Sequence, residues 1–301
     1  MMNQLVTIGM PIYNRPIEMR KALESVLSQS FTNIEIIISN DNSPNPDIDR
    51  IVKEYSEVDP RIFYYKHENS IKTVSNYAFV KDLAKGKYFM WLADDDWLDE
   101  YFIEKCYSFL ENHDEFSVCT GKCIYQDKGN VIHSDSSVSL LSSSPFNRIF
   151  KFYYSVSLNG YFYGLIRKSA LHPIDFFDEM GFDWEVVSAL LYKGKIMVLD
   201  TTSHYISKGG VSNESNSMVK HFKKNTFISR NFIGLAISLN CSSYLYKSKI
   251  FSVNIFVKIG YSIAVFLVNY INLIKWDLLF IKRKLIMSLG INKDGVLFNR
   301  K

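Results

Sequence analysis

The chain has 301 residues, 47% of them hydrophobic, and a formal net charge of +4, enough length and apolar content for a large α/β domain with an appendage or for two modest domains. Four cysteines, Cys106, Cys119, Cys123 and Cys241, are too few and too irregular for a disulfide framework, and Cys119 and Cys123 lack the second pair a zinc site needs. The charge is uneven: from Lys220 to Lys301 there are 14 Lys and Arg against two acidic residues, a balance of +12, which leaves −8 on the first 219 residues.

The N-terminal stretch MMNQLVTIGMPIYN turns polar within a dozen residues and has no basic segment ahead of a long apolar one, so a cytoplasmic protein is the expectation. Short apolar runs then alternate with helical patterns, which predicts βαβ units and a mainly parallel sheet. LVTIGM (5–10), IEIIIS (34–39), IFYY (62–65) and KYFMWLA (87–93) read as strands. One helix is expected over 16–29 and another ending near Lys85-Gly86. Past Asp99 the pattern predicts a helix to Asn112, the strand FSVCTGKCIY, a turn at Lys128-Gly129-Asn130 and a return strand. The serine-rich SDSSVSLLSSS (134–144) reads as a mobile loop. GYFYGLIRKSAL is expected to be a strand entering a short helix, followed by a helix over 183–192 and a strand ending at Asp200.

Polar clusters fall at the carboxyl ends of three predicted strands, where ligands bind in such sheets. They are Pro11-Ile12-Tyr13-Asn14, Asn40-Asp41-Asn42-Ser43 and Asp94-Asp95-Asp96. Taken singly, each has a plain alternative in turn or helix-cap chemistry. Three adjacent carboxylates behind a buried strand repel one another, however, and a divalent cation relieves that repulsion.

In order and spacing these motifs, with the later FFDEMGFDWEVVSALLYKGKI and HYISKGGVS, resemble the family-2 glycosyltransferases of the GT-A fold, over roughly Val6 to Ser212. The resemblance implies an α/β architecture: a Rossmann-like nucleotide-binding half with a mainly parallel sheet (about 1–98), fused to an acceptor-binding half (about 99–219). A basic, apolar helical extension (220–301) would follow. Pro11, Tyr13, Asn14, Asp41 and Asp94 would then bind the nucleotide, with Tyr13 on the base, Asp41 hydrogen-bonded to it and Asp94 at the ribose. Asn40 and Asn42 stand where that family commonly has Asp and Gly, and Ala93 stands where its metal motif usually begins. Asp95 would bind Mn2+ or Mg2+ with Asp96 in support, and His204 would close over the metal or diphosphate. Asp183 would be the catalytic base, although it also suits a helix cap and has Glu179 and Glu185 as neighbours. Trp97, Trp184 and Glu185 are candidates for the acceptor pocket.

The expected reaction is inverting, as single displacement with such a base implies, and non-processive, since no Gln-x-x-Arg-Trp motif is present. It would move a sugar from a nucleotide-sugar donor, UDP-linked by preference, to a glycan or lipid-linked glycan, in bacterial surface-polysaccharide synthesis. A polyprenyl-phosphate sugar synthase and a non-catalytic sugar-nucleotide-binding assembly protein are the competing readings.

In the tail, the longest run without charge, 259–274, is 16 residues, short of the roughly 20 that span a bilayer. On a helical wheel Asn254, Lys258, Tyr261, Ser262, Asn269, Asn272 and Lys275 share one side, and Ile, Val, Leu and Phe fill the rest. This pattern, with Lys282-Arg283-Lys284 behind it, suggests a helix lying on an anionic membrane and a peripheral enzyme at the inner face of the cell membrane. A core-packing extension or an oligomer contact would use the same residues. Nucleic acid is not expected, because basic residues scattered among aliphatics track phosphates poorly.

Overall fold

A computed structural model describes residues 4–127, 130–134, 138–156, 159–207, 222 and 226–288. The first half contains β1 (Val6–Ile12), α1 (Pro16–Leu27), β2 (Ile34–Asn40), α2 (Pro46–Ser56), β3 (Ile62–Lys66), α3 (Thr73–Asp82) and β4 (Tyr88–Trp91). Its four strands are parallel in the order β3-β2-β1-β4. Strands covered on both faces read as unbroken apolar strings, which is why β1, β2 and β4 are visible in the sequence, whereas the edge strand β3 leaves Phe63 and Tyr65 exposed. Val6, Ile8, Met10 and Ile12 face the core under α1, while Phe89 and Trp91 of β4 face the opposite core. A Cβ at Gly9 would come within 2.7 Å of Val80, so the glycine lets α3 rest directly on β1.

The second half contains β5 (Trp97–Leu98), α4 (Phe102–Asn112), β6 (Phe116–Asp127), β7 (Asn130–Ser134) and α5 (Pro145–Ser155). A 3-10 turn (Gly160–Tyr163), β8 (Leu165–Arg167), α6 (Lys168–Leu171), α7 (Phe182–Lys193) and β9 (Lys195–Ser207) complete it. β8 pairs antiparallel with β4 and β6, β6 runs parallel to β9, and β9 pairs antiparallel with β5. One mixed sheet of nine strands therefore joins the halves, with β7 on the side of β6.

Three elements depart from the sequence-based expectation. α2 starts inside what reads as a loop, because Asn45 caps it through the Asp47 N–H and Pro46 takes its first position. The predicted strand ending at Asp200 continues to Ser207: the register slips from Gly121 opposite Leu199 to Lys122 opposite Ser203. A Cβ at Gly121 would lie 2.5 Å from the Thr202 carbonyl oxygen, so only glycine admits this bulge. The described part of the serine-rich segment is tied down rather than mobile. Ser139 Oγ donates to Met197 Sδ, Leu140 bridges to Ile196, and Arg148 donates to the Ser142 and Ser143 carbonyls.

The extension forms α8 (Phe227–Asn231), α9 (Ile233–Lys247) and α10 (Ile255–Ser288). Ile237, Cys241, Tyr244, Val265 and Leu273 belong to the same core cluster as α5 and α7, so the extension shares its core with the second half. Asp277 of α10 is buried and accepts from the Gly234 and Leu235 N–H groups, capping α9 from a neighbouring helix. On α10, Ser262 and Asn269 are buried, Asn272 donates to the Tyr153 and Val156 carbonyls, and Tyr261 stacks on Phe146. Phe256, Ile263, Leu267 and Ile271 point outward. Ser262, Asn269 and Asn272 of the polar side thus face the protein beside the apolar Val265 and Leu273, Asn254 and Lys275 stay exposed, and the remaining apolar stripe faces away.

Candidate active site

The ends of β1, β2 and β4 bring the first polar clusters together. Tyr13, half exposed just past β1, donates its backbone N–H to Asp94 Oδ2 at 3.2 Å. Arg15 Nη1 lies 3.3 Å from Asp94 Oδ1 and 2.5 Å from Asp95 Oδ2. Pro11 is buried within β1 and Asn14 is exposed at its end.

At the end of β2, Asn40 is fully buried and donates to the Tyr64 hydroxyl, while its Oδ1 accepts from the Ser43 N–H. Its neutral amide does in that loop what a buried charge could not do without further compensation. Asn42 has φ of 57°, a left-handed conformation that glycine and asparagine tolerate best, so it serves at a position where the family commonly has glycine. Asp41 accepts from the Ile71 N–H at 2.6 Å and from Ser70 Oγ at 2.8 Å, which fastens the β3–α3 loop beside the β1 end.

Asp94, Asp95 and Asp96 are all buried, and they diverge. Asp94 and Asp95 turn toward Arg15, whereas Asp96 accepts from the Ser207 N–H and has His204 Nε2 3.3 Å from its Oδ2. His204, expected in a loop after a strand, sits inside β9 with no exposed surface, carried there by the Gly121 bulge. Its Nδ1 has no hydrogen-bond partner among the described residues. Asp95, Asp96 and His204 were expected as one ligand set. The structure pairs the last two and leaves Asp95 with arginine, and no three acidic, histidine or cysteine groups converge on a metal position among the described residues.

The donor chemistry nonetheless fits a hard divalent cation. Burial, then the neighbouring Asp96, holds the Asp95 carboxyl well above the usual carboxylate range against the pull of Arg15. Burial likewise raises Asp94, although Arg15 and the Tyr13 N–H oppose it. Mg2+ and Mn2+ sites commonly take one or two carboxylates and complete their shell with water and phosphate oxygens, so Asp95 and a neighbour suffice.

Asp183 lies in the first turn of α7. Burial pushes its carboxyl up to about 6, while Asn159 Nδ2, donating at 2.9 Å, and the Asp183 and Trp184 N–H groups pull the other way. Gly181, at φ of 89°, makes the turn into this helix. Tyr163 feels the charges of both Asp96 and Asp183, Tyr77 feels all three aspartates, and their hydroxyls are 3.5 Å apart. Arg15, Tyr77, Asn159 and Tyr163 were not singled out in the sequence; only Arg15, flanking a predicted acidic crevice, carried a usable signal.

Of the three acceptor-pocket candidates, Trp184 and Glu185 are buried in the core, and Trp97 is partly buried beside the aspartate run. Trp97 stacks on Tyr205 and under the Lys21 ammonium of α1. Trp184 is packed in the core against Phe152 and Tyr153. Glu185 is buried near Tyr153, Cys241 and Tyr244. Helix periodicity explains the last two, since residues adjacent to Asp183 leave its face of α7 by about 100° per step. A groove of about 420 Å³ lined by Tyr101, Lys105, Phe109 and Leu199 among others contains none of the candidate residues.

A parallel sheet with acidic strand ends, joined by a mixed sheet to a second half, is the architecture of the GT-A fold. The chain belongs to glycosyl transferase family 2, whose model matches residues 7–174, more than half of the chain. It is similar to glycosyltransferase GlyA of Streptococcus pneumoniae, 33% identical over 102 residues, covering 34% of this chain and 14% of that protein. It is also similar to the GalNAc(5)-diNAcBac-PP-undecaprenol beta-1,3-glucosyltransferase of Campylobacter jejuni, 27% identical over 192 residues, or 63% of this chain and 60% of that protein. These matches span less than two thirds of either relative. Among solved structures, TarS 1-349 of S. aureus superposes with a TM-score of 0.64 at 15% identity, covering 95% of this chain and 75% of that one. The mannosyltransferase PcManGT of Pyrobaculum calidifontis, in complex with GDP-Man and Mn2+, gives 0.55 at 10% identity, covering 97% and 77%. At such identities the likeness shows the fold alone.

Proposed function

We propose that this protein is an inverting, metal-assisted glycosyltransferase that moves a sugar from a nucleotide donor, UDP-linked by preference, to a hydroxyl of a glycan or lipid-linked glycan. Its place of work would be the inner face of the cell membrane. The observation that carries the reading is the burial of Asp94, Asp95 and Asp96 at the end of β4, against Tyr13 and Arg15 at the end of β1. Tyr13 is free to cover the nucleobase and Asp94 to hold the ribose. A divalent cation at Asp95 would supply neutralisation of the negative charge that builds as the nucleoside diphosphate departs. Asp183, ionised above about pH 6, takes the acceptor hydroxyl's proton, and a single in-line displacement inverts the anomeric centre. A UDP-GlcNAc complex of TarS and the undecaprenol-linked acceptor in the C. jejuni relative's name favour these donor and acceptor classes. Retention of Asp95 and Asp183 counts against a non-catalytic assembly protein. The inward polar face of α10 counts against a polyprenyl-phosphate synthase anchored by true spans.

A panel of UDP- and GDP-sugars, tested for thermal protection and for Mn2+-dependent hydrolysis, checks the reading. One sugar nucleotide is expected to protect and to be consumed with Mn2+. Protection by none of them, or undiminished turnover in excess EDTA, overturns it.

A further inference from the structure

The outward side of α10 has no counterpart in the catalytic reading. Phe256 is 83% exposed, Ile263 56%, Leu267 52%, Ile271 67% and Leu278 58%. Their spacing of four and seven residues keeps them on one stripe. Gly260 lies on the same stripe, with nothing within 4 Å of the position a Cβ would take. The helix over Ile255–Lys282 is apolar and long enough, about 40 Å at 1.5 Å per residue, to match a bilayer's thickness. Its other side, however, is committed to the protein. Asn269 is fully buried, Asn272 binds two α5 carbonyls, Asp277 caps α9 and Lys258 donates to the Ser248 carbonyl. A spanning helix would have to abandon these contacts, whereas one lying flat keeps them and buries only the stripe.

Charge selects the occupant. The residues from 220 onward carry +12, and the one described acidic side chain among them, Asp277, is buried and used. Lys247, Lys249, Lys275 and Lys282 are exposed on α9, at its end and on α10. A second copy of this face would bring like charge against like, while anionic headgroups complement it.

We propose that the Phe256–Leu278 stripe of α10 docks this protein flat on an anionic lipid surface, and that the acceptor reaching Asp183 is carried by the same lipid. Asn272 holds Val156 at the end of α5, and three residues further on Asn159 donates to Asp183. Asn240 of α9 donates to the Met180 carbonyl, beside the Gly181 turn into α7. The docking hairpin and the base are therefore mounted on the same two loops. The docking stands on the surface alone; the further step, that the acceptor is carried by a lipid, rests on the glycosyltransferase reading.

The test uses the full chain with phosphatidylcholine vesicles prepared with and without phosphatidylglycerol. Wild type is expected to sediment with the anionic vesicles, less with neutral ones, and to be released only in part by salt. The Ile263→Gln/Ile271→Gln variant, both positions being exposed, is expected to keep its melting temperature and bind roughly tenfold or more weakly. Lys275→Glu/Lys282→Glu is expected to lose the preference for anionic lipid. Failure of wild type to bind, or binding unaffected by either pair, overturns the proposal. So does a dimer in vesicle-free buffer that the isoleucine pair abolishes, which would make the stripe a contact between copies. If docking holds and a lipid-linked acceptor is not glycosylated, the acceptor step falls and the docking remains.

Discussion

The guanidinium of Arg15 rests 2.5 Å from the carboxylate of Asp95 and sits where it partly offsets a buried charge cluster. Arginine and a cation compete for the same oxygen. Arg15→Gln is therefore expected to tighten Mn2+ binding in the absence of nucleotide, by about two- to tenfold on the scale of a partly exposed ion pair. Isothermal titration measures it. Weaker binding would mean that Arg15 organises the aspartates instead of opposing the metal.

Asp95→Asn removes the carboxylate without removing its volume. Transfer is expected to fall by about a hundredfold or more, and the Mn2+ heat with it, since cation stabilisation of a departing diphosphate contributes several kcal/mol. Donor transfer that persists at the wild-type rate would dismiss Asp95 as the ligand.

Asp183 offers a pH test with a defined sign. Its carboxyl, raised by burial to about 6 from 3.8, must be ionised to act as base, so kcat/KM should fall about tenfold per pH unit below 6. Stability runs the opposite way. Because the folded value exceeds the unfolded one, the group's stabilising contribution is fully present below about pH 4 and is lost as pH rises through about 6. Asp183→Asn should accordingly abolish transfer, leave donor binding near wild type, and melt no lower than wild type at pH 8. A lower melting temperature there would mark Asp183 as a helix cap.

Gly181 turns the chain into α7 at φ of 89°, and a Cβ there would meet Ile237 Cγ2 at 3.0 Å. Gly181→Ala is expected to cost about 1–2 kcal/mol, read from urea midpoints, through backbone strain and displacement of α9. Asn42, at φ of 57°, makes the complementary case: Asn42→Gly should be close to neutral and Asn42→Val destabilising. Equal midpoints for the two Asn42 variants would refute the conformational argument.

The sheet's first half was legible because IEIIIS and KYFMWLA are buried on both sides, a condition that leaves a continuous apolar run. α2 was not, since Ser-Pro-Asn-Pro is at once loop punctuation and helix-start chemistry, and only the Asn45 cap separates the two. β5 has two residues, too few for any periodicity. The polar clusters at the strand ends could be found by position, but the divergence of Asp95 from Asp96 and His204 depends on a register slip opposite Gly121, which no local pattern in β9 reveals. Helical periodicity grouped Ser262, Asn269 and Asn272 on one side of α10, but not the buried Val265 and Leu273 that share that side. It could not say which side faced inward, because that sign is set by partners such as Tyr153 and Val156, more than a hundred residues away in the chain.

The capping of α9 by Asp277 bears on how this protein can be handled. Trimming an apolar tail is the usual route to a tractable sample, and a cut ahead of α10 would here strip Val265 and Leu273 from the core and leave the Gly234 and Leu235 N–H groups without their carboxylate. Such a shortened chain would be an unstable sample, and its precipitation would say nothing about lipid. Repainting the outer stripe with polar side chains leaves every internal contact of α10 in place, and is the sounder path to a monodisperse preparation.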